Sequence, residues 1–121
     1  MNTLTIALLS IALSVAAQFS LKAGMASQAV QEILSLPFNL RTIYTVLSDK
    51  YVLGGFLLYG LGAMVWLAVL NKWDVSKAYP LVGTGFIFTL VIGLFTGENI
   101  TPYRVTGVAL ISIGVAMVGW G

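Results

Sequence analysis

The sequence predicts an all-α membrane protein of four transmembrane helices. Three observations carry this. Of 121 residues, 59% are hydrophobic and only 8% are charged, against about 25% charged in a soluble domain, which leaves too few charges for a solvated surface. The charges also fall in a pattern: the stretches 4–21, 51–71, 78–97 and 105–121 contain no Asp, Glu, Lys or Arg, and a helix needs roughly 20 apolar residues to cross the hydrocarbon core. Finally, backbone groups in lipid must be satisfied within the segment. Long unbroken apolar runs therefore form helices, whereas barrel strands would be short and alternating. The expected organisation is one transmembrane domain, 1–121, with helices near 4–24, 51–71, 76–97 and 102–120.

The first helix carries Ser10, Ser14, Gln18 and Lys22, one every four residues, and so on one face. Small polar residues suit either a helix–helix contact or a cavity wall. Gln18 and Lys22 are costly against lipid and favour a cavity or its rim. Met1-Asn2-Thr3 lacks the positive segment of a cleaved leader, so this run is expected to be a retained span.

The connection 26–49 is the least apolar part and is broken at Pro37. Val30, Ile33, Leu34, Leu40, Tyr44 and Leu47 are spaced for short amphipathic helices at the membrane interface. A partly ordered loop is the alternative for its first half.

In the second helix Gly55, Tyr59, Gly62 and Trp66 share a face. The glycines suit close packing. Trp66 lies too deep for an interfacial ring and is expected to face protein or a cavity, while Tyr51, Trp73, Tyr103 and Trp120 sit at span ends as anchors. The third helix opens with Lys77, Tyr79 and Pro80, followed by Gly83, Thr84 and Gly85. A proline beside a charge, a phenol and two glycines predicts a deformable segment reached by water. The plainer alternative has Lys77 snorkelling to the surface and Pro80 in the first turn. Residues 98–102 form a hairpin in which Thr101 caps the fourth helix, Pro102 opens it and Glu98 is structural. On that last helix Gly107, Ile111 and Gly114 share a face, as in a helix-pairing seam.

Composition also excludes chemistry. There is no Cys and no His, so disulfides, thiolate or imidazole metal sites and imidazole acid–base catalysis are ruled out. No metal, cofactor or enzymatic activity is expected. A net charge of +2 is too small for a nucleic-acid-binding stripe. No acid lies within a span, which argues against simple proton/cation antiport. Lys22 and Lys77, with Ser14, Gln18, Tyr79 and Thr84, suit an anionic headgroup instead. Lys22, Arg41, Lys50 and Arg104 fall on the side of the first and third connections, and Lys72 and Lys77 on the other. This points to cytoplasmic first and third connections. So small a bias also permits dual insertion, with an antiparallel pair forming an inverted repeat.

Four helices in so short a chain resemble the small multidrug resistance branch of the drug/metabolite transporter superfamily. The run Gly107-Val108-Ala109-Leu110-Ile111-Ser112-Ile113-Gly114-Val115 looks like that branch's pairing motif. The resemblance implies a dimer made through Gly107, Leu110, Ile111, Gly114 and Val115. Tyr79 falls where those exporters have a substrate-contacting tyrosine. Ser14 stands where they have the membrane glutamate, and Val82 where they have a tryptophan.

A closer resemblance is to the small subunits of the aminoarabinose-phosphoundecaprenol flippase. It rests on Leu13-Ser14-Val15-Ala16-Ala17-Gln18 with Lys22, on Trp66-Leu67-Ala68-Val69-Leu70, and on Ala78-Tyr79-Pro80. It spans all four helices, with a longer connection at 26–49. It implies movement of a polyprenyl-phosphate-linked sugar, or a similar anionic lipid carrier, across the inner membrane. The partners expected are membrane lipid and a second four-helix subunit, as homodimer or heterodimer. The substrate-binding candidates are Ser14, Gln18, Lys22, Trp66, Lys77, Tyr79, Pro80 and Thr84. The alternatives are small-cation or multidrug efflux, and a non-transporting subunit that stabilises a partner.

Overall fold

The computed structural model describes residues 2–121, and every regular element among them is helical. The order is α1 (Thr3–Met25), α2 (Gln28–Leu34), α3 (Leu40–Ser48), α4 (Lys50–Lys72), α5 (Val75–Ala78), a 3₁₀ turn (Tyr79–Thr84), α6 (Gly85–Phe95) and α7 (Pro102–Trp120). Four segments are long and apolar enough to cross a membrane: α1, α4, the composite third span Val75–Phe95, and α7. This is the architecture the charge-free runs predict.

The starts of α1, α3, α4 and α7 are fixed by side-chain oxygens that satisfy N–H groups with no partner inside the helix. Asn2 accepts from the Thr5 N–H at 2.8 Å. Asp49 accepts from Tyr51 and Val52 at 2.9 and 3.1 Å. Asn39 and Thr42 cap α3 reciprocally. Thr101 accepts from Arg104 at 3.2 Å, with Pro102 in the first position of α7.

The most extensive contact joins α1 and α4, which run antiparallel. Ala7 packs with Val69 at one end, and Gly24 meets Val52 at the other. Small residues permit this approach. A Cβ on Gly55 would stand 2.7 Å from the Leu21 side chain, and one on Gly62 would stand 3.3 Å from the Ser10 carbonyl oxygen. Two hydroxyls cross the seam. Ser10 Oγ donates to the Gly62 carbonyl at 2.6 Å in a buried position, and Ser20 Oγ donates to the Tyr51 carbonyl at 2.6 Å. Ala7, Val69 and Ala78 form a small core that ties α5 to this pair, with Ile6, Trp66, Trp73 and Leu81 around it.

The third span runs parallel to α1, since Ala78 packs with Ala7 and Gly85 faces Ile11 and Val15. Its 3₁₀ turn receives α7 at Gly83, against Ile111 and Val115. No residue of α7 is fully buried, so its remaining apolar surface faces outward. In the first connection, α2 and α3 lie either side of Pro37 and bury Val30 and Thr42. Phe38, between them, and Leu40 and Tyr44 of α3 are exposed by 75, 83 and 74%.

Candidate functional site

A cavity of about 1010 Å³ opens between α1, α4, the third span and the start of α7. Ligand pockets commonly hold roughly 300–1,000 Å³, so the space is large enough for a headgroup. Its α1 wall runs from Ser10 to Lys22, about 18 Å at 1.5 Å per residue. The polar stripe of α1 therefore does two things. Ser10 ties α1 to α4, while Ser14, Gln18 and Lys22 continue along the cavity. Across from them stand Tyr59, Gly62 and Trp66 of α4.

The cavity is polarised along its length. Lys22, Glu98 and Arg104 lie at the mouth on the side of the first and third connections. Trp66 and Tyr79 mark the other end, beside the core of Ala7, Val69 and Ala78. Nothing on the walls offers a metal-ligand cluster: among the described residues no group of three potential ligands exists. The arrangement places two cations and a carboxylate at one end and an indole and a phenol at the other, groups suited to charge-assisted bonds and to aromatic contact respectively.

Of the expected substrate residues, the structure brings together Ser14, Gln18, Lys22, Trp66 and Tyr79 as cavity lining. Lys77, Pro80 and Thr84 lie outside that lining. The Lys77 ammonium sits 4.5 Å from the centre of the Trp73 ring, a cation–π pair that crosses the extended break at Trp73 and Asp74 between α4 and α5. Pro80 occupies the 3₁₀ turn, and Thr84 Oγ1 donates to the Leu81 carbonyl at 2.8 Å. The fourth-helix seam is divided. Ile111 and Val115 pack on Gly83 of the same chain, whereas Gly107 and Gly114 have open space before them and Leu110 is 65% exposed. Gly107 and Ile111 also line a smaller recess of about 300 Å³ that shares Glu98 and Arg104 with the main cavity.

Glu98 is the residue that sequence reasoning placed elsewhere. It lies outside every span, yet it lines the cavity. Gly97 takes φ +86°, the left-handed conformation that ends α6, and the Glu98 N–H returns to the Gly93 carbonyl at 2.9 Å. This is a six-to-one closing turn, which folds the chain back over α6. The Gly97-Glu98 pair was its signal: a glycine just past a helix sends the next residue back towards the last turn. Tyr59, Phe86, Thr89 and Arg104 are further lining residues absent from the expected set.

No family model matches the chain, and no solved structure matches it. Curated proteins do. The chain is 41% identical over 61 residues to the "Probable 4-amino-4-deoxy-L-arabinose-phosphoundecaprenol flippase subunit ArnE" of Pseudomonas savastanoi pv. phaseolicola, a match covering 50% of this chain and 54% of that protein. It is 39% identical over 62 residues to subunits of the same name from Yersinia pestis and Yersinia pseudotuberculosis, with the same coverage. The chain spans about half the length of the curated relatives it matches. With four helices able to span, these relatives mark a multi-pass protein of the inner membrane.

Proposed function

We propose that the chain is one subunit of a flippase that carries a polyprenyl-phosphate-linked sugar across the inner membrane. The observation that supports this most is the polarised cavity, with Lys22 and Arg104 at one mouth and amide, hydroxyl and aromatic groups leading inward. The two cations attract the phosphate. Gln18 and Ser14 bond sugar hydroxyls, Trp66 and Tyr79 stack on the ring, and the polyprenyl tail stays in lipid. Lys77, Pro80 and Thr84 act on the third span itself, at its Trp73 contact and its 3₁₀ turn, where a mid-span change of helix type provides a hinge.

A second subunit completes the path. Four helices enclose the cavity only in part, and the relatives are named as subunits. The outward face of α7, with Gly107, Leu110 and Gly114, is where a similar four-helix chain pairs. Homodimer and heterodimer both satisfy this face.

Headgroup translocation in proteoliposomes tests the proposal. Lys22→Ala and Gln18→Ala are expected to lower the rate at least about tenfold, the loss of roughly 1.4 kcal/mol of headgroup interaction. Unaltered transport by both removes the site. Glu98 in the cavity also supports a second reading, small-cation efflux. That reading predicts resistance to quaternary ammonium compounds on overexpression, and its absence eliminates it.

A further inference from the structure

We infer that Glu98 is the specificity-determining residue of this cavity: its carboxylate holds a positively charged group of the headgroup while Lys22 and Arg104 hold the phosphate. The inference rests on the flippase reading above.

Three observations lead to it. Glu98 is the sole carboxylate lining the cavity among the described residues, and it shares the mouth with Lys22, Arg104 and Asn99. Its place is built rather than incidental. Gly97 at φ +86° turns the chain, and the Glu98 N–H is held at 2.9 Å by the Gly93 carbonyl. Gly93 then leaves room for the carboxylate, since a Cβ there would stand 3.0 Å from Glu98 Oε1. Lastly, Glu98 lines the smaller recess as well as the main cavity, as does Arg104. The acid thus stands at the junction of the two spaces.

Charge decides what such a mouth selects. For a headgroup whose only charge is a phosphate, Lys22 and Arg104 suffice, and Glu98 opposes binding as a like charge. A headgroup with both a phosphate and an ammonium uses all three groups, each in a charge-assisted bond. A polar site rejects an analogue that leaves its groups unpaired far more strongly than an apolar wall rejects an extra atom. Glu98 therefore separates an amino-sugar from the same sugar with its nitrogen neutralised.

The test compares two probes, 4-amino-4-deoxy-L-arabinose-phosphoundecaprenol and its N-acetylated form, which has lost the positive charge and gained an acetyl group, so that the response of the preference to Glu98 separates charge from bulk. Translocation of each is measured in proteoliposomes that hold the assembled flippase, this chain together with its second subunit. Wild type is expected to favour the amine at least tenfold. In Glu98→Gln the preference falls to near one, by loss of the amine lipid, with the N-acetylated lipid moved as fast as by wild type or faster. That retained activity also shows the variant to be folded. Glu98→Asp, which keeps the charge, retains part of the preference. Wild type moving both lipids equally, or Glu98→Gln keeping the wild-type preference, overturns the inference and leaves the flippase reading standing. Wild type moving neither overturns both.

Discussion

The closeness of α1 and α4 at the charged end of the bundle predicts a sharp cost for one methyl group. Alanine at Gly24 would place its Cβ 2.6 Å from Asp49 Oδ1, 2.6 Å from Val52 Cγ2 and 2.8 Å from the Val52 backbone nitrogen. Ordinary contact begins at 3.4 Å, so all three must retreat. None does so independently, because Asp49 Oδ1 is also the acceptor that caps α4 at Tyr51 and Val52. Overpacking of this kind costs about 1–3 kcal/mol, and loss of the cap adds about 1 kcal/mol. Alanine's better helix propensity returns up to about 1 kcal/mol. The expected net loss from Gly24→Ala is therefore about 1–3 kcal/mol. Gly60→Ala is the matched control, since a Cβ on Gly60 meets nothing within 4 Å. It should be neutral or stabilising by up to about 1 kcal/mol. Unfolding in mixed micelles titrated with SDS, followed by far-ultraviolet circular dichroism, reads both midpoints. Coincident midpoints for Gly24→Ala and Gly60→Ala would refute the close seam and the reasoning built on it.

Two further outcomes follow from single contacts. Ser10→Ala removes the buried bond to the Gly62 carbonyl and should cost about 0.6 kcal/mol, the average for such bonds in membrane bundles. The same titration measures it, and a midpoint above the wild-type value would contradict the bond's role. Gly97→Ala forces a side chain into φ +86° at a cost of about 1 kcal/mol. Because Gly97 aims Glu98, this variant should also narrow the preference for the amine lipid. A stability loss with the preference unchanged would separate the turn from the selectivity.

The fold was legible because lipid makes composition decisive. With charges confined to connections, the four charge-free runs had to become spans, and the glycines of α4 announced a close neighbour. The site was legible only in part. The α1 stripe could be read because a four-residue spacing maps onto one face without any knowledge of the partner. Trp66 could be read because it sits too deep for a belt residue. Lys77 could not be placed from its charge alone, since Trp73 captures it across the break between α4 and α5. Glu98 is hidden from composition for a topological reason: it lies outside every span and enters the cavity from a connection, through the reversal at Gly97. The α7 seam was only partly legible because its small residues mark a packing face without saying which helix covers it, and Ile111 and Val115 meet Gly83 of the same chain.

The 3₁₀ turn also sets the gauge of the bundle. A 3₁₀ residue rises about 2.0 Å, against about 1.5 Å in an α-helix. Its six residues therefore add about 3 Å to the third span. That span has 21 residues and α1 and α4 have 23 each, yet all three reach about 34 Å. Each overreaches a hydrocarbon core about 30 Å thick by a similar margin. The parity lasts only while the turn stays tightly wound. Rewound as α-helix, the third span is about two residues too short to keep level with its neighbours.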